Sequence, residues 1–131
     1  MEMKITGTFD INLDPMDTYA QGVEGTKLGH MSIDKTFHGE LQAKSHGEML
    51  NVLTPVQGSA GYVAIEQVVG ELSGKKGSFV LQHYGVMSNG NDSLILEVIP
   101  DSGTGDLVGL EGQMAIWIED GLHHYEFEYQ L

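Results

Sequence analysis

Apolar and polar residues alternate with a period of two along most of this chain, and that alternation restricts its fold more than any other feature. Period two puts alternate side chains on opposite faces of an extended strand, whereas a helix repeats every 3.6 residues. Ile5, Gly7, Phe9, Ile11 and Leu13 share one face, and Lys4, Thr6, Thr8, Asp10 and Asn12 take the other. Asp14-Pro15-Met16-Asp17 is expected to break this first strand, because proline removes a donor and restricts the residue before it. Met31, Ile33, Lys35 and Phe37 alternate with Ser32, Asp34, Thr36 and His38 in a second strand. His38-Gly39-Glu40 turns it into a third, from Leu41 to about Leu53, in which Gly47 is expected to mark a bulge.

The most informative hairpin joins Tyr62–Glu71 to Ser73–Met87 around Gly74-Lys75. Glycine in the first turn position suits a type II′ turn, which sets Ser73 opposite Lys76, Val68 opposite Leu81 and Glu66 opposite His83. One face then holds Tyr62, Ala64, Glu66, Val68, Phe79, Leu81 and His83. The other holds Val63, Ile65, Gln67, Val69, Val80, Gln82 and Tyr84. Both faces are largely apolar, so either can be the inner one. A strand pair buried on both sides implies core within and a partner without. The expected partner is a second copy of the chain, as a homodimer with a trimer as the alternative.

Asn89-Gly90-Asn91-Asp92 turns the chain into a strand from Ser93 to Ile99, and Pro100–Asp106 reads as a loop. Asp120-Gly121 is a preferred type I′ turn that pairs Glu119 with Leu122. Met114, Ile116 and Ile118 then share a face with His123, Tyr125, Phe127 and Tyr129, and Trp117 is the one large apolar residue opposite. About eight strands in up-and-down order lose their edges best by closing. The expected fold is all-β: one domain over residues 1–131, a closed antiparallel eight-stranded barrel. A barrel of that size has a filled interior or room for one small ligand.

Composition narrows the partners. Six Lys and Arg stand against nineteen Asp and Glu, a formal net charge of −13. Such a surface repels phosphate backbones and anionic lipid, so neither nucleic acid nor a membrane is an expected partner. No basic segment followed by an apolar run opens the chain, no apolar stretch approaches the length of a membrane span, and there is no cysteine. The cytoplasm is the expected setting.

The missing cysteine also removes thiol nucleophiles and thiolate metal sites. Ser102-Gly103-Thr104-Gly105 is glycine-rich but lacks the Gly-Lys-Ser/Thr ending of a phosphate loop. His30, His38 and His46 lie eight residues apart without a recognised ligand spacing, and adjacent His123 and His124 point to opposite faces. No metal and no cofactor is expected. The sharper candidate for chemistry is Glu66 with His83, and Tyr62 on the same face. Turned inward, a carboxylate and an imidazole in apolar surroundings suit general acid–base catalysis or the polar end of a ligand pocket. The plainer alternative is a hydrogen-bonded pair that satisfies itself inside the barrel. Lys35, in an apolar row, is either an inward functional amine or a side chain snorkelling from a strand end. His123 and Tyr125 are expected to add polar groups to the same cavity.

Several stretches together resemble a known family: Gly-His-Met-Ser-Ile-Asp-Lys-Thr-Phe-His-Gly (29–39), Gly-Glu-Met-Leu (47–50), Gly-Tyr-Val-Ala-Ile-Glu (61–66), Gly-Ser-Phe-Val-Leu-Gln-His (77–83), Ser-Gly-Thr-Gly-Asp-Leu-Val-Gly-Leu-Glu-Gly (102–112) and Gly-Leu-His-His-Tyr-Glu-Phe-Glu-Tyr (121–129). The family is one of small, mostly bacterial proteins known as a domain of unknown function, and its fold is similar to the barrel of allene oxide cyclase. The resemblance implies a fold and no established activity. That enzyme's own sequence has no match here, so none of its catalytic residues is carried over. The leading expectation is a barrel that binds a small apolar or amphipathic ligand. The alternatives are a cofactor-independent isomerase or cyclase using Glu66 and His83, and a structural oligomer with a packed interior.

Overall fold

The computed structural model describes residues 2–131, and the alternation becomes a closed antiparallel barrel. Its strands are β1 (Glu2–Met16), β2 (Lys27–Gly39), β3 (Leu41–Leu53), β4 (Ala60–Leu72), β5 (Lys75–Ser88), β6 (Asn91–Val98), β7 (Glu111–Glu119) and β8 (Leu122–Gln130). Each pairs with its neighbour in sequence, and β1 returns to β8, as the up-and-down order requires. One turn of 3-10 helix, Gly105–Leu107, interrupts the β6–β7 connection. Among the described residues no helix is long and apolar enough to cross a membrane.

Three local expectations are corrected. The β4–β5 turn centres on Ser73-Gly74, whose φ values of 49° and 84° make it type I′. Leu72 therefore faces Lys75, Val68 faces Phe79, and Ala64 rather than Glu66 faces His83. The Ser73 backbone N–H donates to Glu40 O at 2.8 Å, and its hydroxyl bonds Tyr129 Oη at 3.1 Å, contacts that hold the unfavourable positive φ. A two-residue register shift leaves every side chain on its expected face, because the strand period is two.

Gly47 marks no bulge. It pairs in register with Ile33 and Glu66, and a Cβ there would lie 2.2 Å from Ile65 O, so the glycine lets β4 close onto β3. The third correction concerns β1, which continues through Pro15 to Met16. Its pairing with β8 stops at Phe9, and beyond that point β1 pairs with β2 alone. Proline is tolerated there because one side of the strand has no ladder to break. The β7–β8 turn forms as expected, with Glu119 facing Leu122 across Asp120-Gly121.

The two ends of the barrel differ. At the end carrying the β2–β3 and β4–β5 turns, Phe37, Leu41, Leu72, Phe79 and Phe127 fill the interior, and Leu107 and Leu110 from the β6–β7 connection plug it. Phe79 and Phe127 stack at 5.9 Å between centroids. Towards the other end the interior is hollow. The wall is also weakest on one side: β6 and β7 pair only at Glu97–Gln113 among the described residues.

Candidate functional site

Tyr62, Ala64, Glu66 and Val68 of β4 and Phe79, Leu81 and His83 of β5 face inward, while Val63, Ile65, Val69 and Tyr84 face out. Four adjacent strands thus aim one polar group each at the same interior point. Lys35 (β2) lies opposite Ser45 (β3), and Glu66 (β4) lies opposite Gly47, where the backbone of β4 closes onto β3. The Lys35 ammonium donates to Glu66 Oε2 at 2.9 Å, and Ser45 Oγ donates to Oε1 at 2.7 Å. His83 Nε2 also donates to Oε2, and Tyr62 Oη lies 2.9 Å from His83 Nδ1. Gly85 pairs with Tyr62, and a Cβ there would come within 2.5 Å of Tyr62 Cε1, so the glycine makes room for the ring.

The electrostatics of this cluster follow from its burial. Lys35, Ser45, Glu66 and His83 are all buried, Glu66 completely. Burial alone would raise the Glu66 carboxyl. The hydrogen bond from His83, the Lys35 charge and the Ser45 hydroxyl outweigh it and hold the carboxyl at about 2. Glu66 is therefore a carboxylate whose oxygens are enclosed by three donors. Facing that carboxylate, His83 Nε2 must carry a hydrogen, and in the neutral ring Nδ1 accepts from Tyr62. Burial, helped by the Glu66 charge, pushes the Tyr62 hydroxyl up to about 12. The Lys35 charge also sits 4.8 Å from the centre of the Phe9 ring, within cation–π range.

Above this network lies a cavity of about 840 Å³. Its walls are largely apolar, with Phe9, Ile11, Ile33, Met49, Leu94, Ile116 and Ile118 among them, and Asp92 as a carboxylate bordering it. Lys35, Tyr62, His83 and His123 line it, but Glu66 does not. His123 packs against Phe9 with ring centroids 5.2 Å apart and planes tilted by 39°. Leu94 and Asp92 of β6 and Ile116, Trp117 and Ile118 of β7 flank the poorly paired seam, and the Trp117 ring stacks on that of His124 at 5.5 Å, on the face away from His123.

The structure brings together four of the six candidates, Lys35, Tyr62, Glu66 and His83, and places His123 on the same cavity. Tyr125 lies apart. It is fully buried at the packed end, donating to His38 O at 2.8 Å and accepting from Leu41 N–H at 3.3 Å across the β2–β3 turn. Ser45 was missed, although a serine in the inward row Leu41, Ala43, Ser45, Gly47, Met49 is a polar interruption of the same kind as Lys35. Asn51, which also lines the cavity, continues that row. The outer histidines stay separate: His30 bonds Glu48 and His38 bonds Asp10. Among the described residues no three His, Asp or Glu side chains converge to hold a metal ion.

A closed barrel plugged at one end and hollow at the other, with a buried ionic network as the cavity floor, defines a cup-shaped β-barrel. Residues 5–129 match the family described as a protein of unknown function (DUF3224), and the chain belongs to that family. It is similar to a crystal structure of a protein of unknown function from the same family in Shewanella oneidensis MR-1. The two share 59% identity at a TM-score of 0.98, over 100% of this chain and 98% of that one. No curated protein matches the chain.

Proposed function

We propose that the protein binds a small, predominantly apolar molecule in the open half of the barrel, with its polar end at the floor formed by Lys35, Tyr62 and His83. The observation that carries this reading is the cavity itself. Its volume of about 840 Å³ lies in the range of small-molecule sites, and its apolar walls converge on a few fixed polar groups. A barrel acting only as a structural oligomer needs no such space, and leaving side chains unpacked has a cost in stability. A fold like that of allene oxide cyclase would also supply such a space, but this is analogy at the level of fold and transfers no chemistry.

The test is native mass spectrometry of gently purified protein, with a titration of the neutral fluorophore Nile red. Extra mass lost on denaturation, or saturable Nile red binding weakened by Ile33→Trp in the cavity wall, supports the reading. No extra mass together with no Nile red binding overturns it.

A second reading is favoured by one observation. Tyr62 and His83 are hydrogen-bonded, both line the cavity, and His83 is backed by Glu66. Such a relay can move a proton to or from a bound molecule without a cofactor, as an isomerase or cyclase requires. In this reading Glu66 orients His83 rather than exchanging the proton itself, because it does not line the cavity and stays ionised down to about 2. Tyr62→Phe would then abolish turnover while leaving Nile red affinity unchanged. Loss of both together would give Tyr62 a role in binding and none in moving the proton.

A further inference from the structure

We propose that the cavity selects molecules whose polar end is a neutral carbonyl oxygen, seated against the Lys35 ammonium. This rests on the reading of the cavity as a ligand site and narrows the chemistry of its occupant.

The polar floor does not present its two signs of charge equally. The Glu66 carboxylate takes hydrogen bonds from Lys35, Ser45 and His83 and does not border the cavity. Lys35 does border it, with its ammonium 4.8 Å from the centre of the Phe9 ring in the same cavity wall. An ammonium has three donors, and Glu66 accepts from one of them. At Lys35 the floor thus offers a hydrogen-bond donor in a largely apolar chamber. A ligand there meets its best partner with an acceptor oxygen, and an ammonium head at the floor meets a like charge while the Glu66 carboxylate lies out of its reach.

Charge then separates the two kinds of acceptor. Lys35 is already neutralised by Glu66, so a carboxylate head would add an unbalanced negative charge to a low-dielectric site. Asp92 borders the same cavity, and the whole chain carries a net charge of −13, so the surrounding field also opposes an anion. A ketone, aldehyde or ester oxygen accepts the same N–H bond without that desolvation cost. Lys35 acts here as a binding group paired with Glu66, and no covalent step follows.

The experiment uses three probes with one tail length: 2-octanone, octanoate and octylamine, each competing against Nile red on the full chain. The expected result is that 2-octanone binds at least tenfold more tightly than either charged probe. The carbonyl carbon of bound 13C-labelled 2-octanone should also lie downfield of its position in an apolar solvent, as a hydrogen bond in the cavity requires. In the double variant Lys35→Met/Glu66→Gln, which removes both charges together, that carbon should move upfield to its apolar-solvent position while circular dichroism shows the barrel still folded. Octanoate or octylamine binding most tightly, or equal binding of all three, overturns the inference and leaves the cavity reading standing. A bound ketone whose carbonyl carbon sits at its apolar-solvent position also overturns it. Failure of Nile red itself to bind would instead remove the reading beneath it.

Discussion

Lys35 and Glu66 form an ion pair at 2.9 Å in a part of the barrel where both side chains are almost wholly shielded from water. A buried charge that loses its partner keeps its desolvation cost and loses its compensation, so each single neutral variant should be strongly destabilised, by ~3–5 kcal/mol. Removing both charges avoids that penalty, and Lys35→Met/Glu66→Gln should lie much closer to the parent than either single change. The pair also has a pH dependence of definite sign. The Glu66 carboxyl falls from its ordinary 4.5 to about 2 in the folded protein, so the unfolded chain binds its proton first as pH drops. The resulting stability is fully present above about pH 4.5 and disappears as pH falls towards 2. Urea unfolding of parent, single and double variants from pH 6 to pH 3 checks both points. A double variant as unstable as the worse single, or one with the parent's acid slope, would refute this account.

Among the elements, the inward row of β4 and β5 was legible in the sequence although its register was not. Side-chain faces depend on parity alone, so placing the turn at Gly74-Lys75 instead of Ser73-Gly74 moved every cross-strand partner by two and left Glu66 and His83 on one face. What sequence could not supply was which of two apolar faces turns inward, since Val63, Ile65 and Val69 match Ala64 and Val68 in character. Nor could it reveal the three-strand reach that joins Lys35, Ser45 and Glu66 across β2, β3 and β4, which closes where Gly47 admits the β4 backbone. The plugging of one end by Leu107 and Leu110 was equally hidden, because a loop's path leaves no periodic trace. Gly85 offers a check on this level of organisation. Gly85→Ala should push the Tyr62 ring off β5, break its bond to His83 and cost ~1–3 kcal/mol in strain. The nitrogen-15 shift of His83 Nδ1 should then match that of Tyr62→Phe. A shift identical to the parent's would mean that the ring accommodates the methyl group without leaving His83.

At the scale of the whole molecule, the outer wall carries a second feature that the cavity does not explain. Leu50, Val63, Tyr84 and Ile95 stand side by side on β3, β4, β5 and β6, each exposed and each directly opposite the next in the strand register. Ile65 and Val69 extend this row along β4. We propose a second copy of the chain as its occupant. A net charge of −13 makes most of the surface repel another copy, whereas this row has no charged side chain. A two-fold axis through it would set the same residues against each other, the self-complementary arrangement of a dimer. Four strands at about 4.8 Å spacing make a strip roughly 15–20 Å wide. From Val63 to Val69 it runs roughly 20 Å along β4, and its area of roughly 300–400 Å² is smaller than the ~800 Å² per partner of a standard interface, so the association should be weak and dependent on concentration. Light scattering should give the chain mass of 14.3 kDa at low micromolar concentration, rising towards twice that value near millimolar. Added salt should strengthen the association by screening the acidic surfaces, and Tyr84→Glu should hold the protein at the monomer mass without altering Nile red binding. A mass of 14.3 kDa at every concentration would leave the row without a partner, and a trimer would require a different pairing of surfaces from the self-facing one argued for this wall.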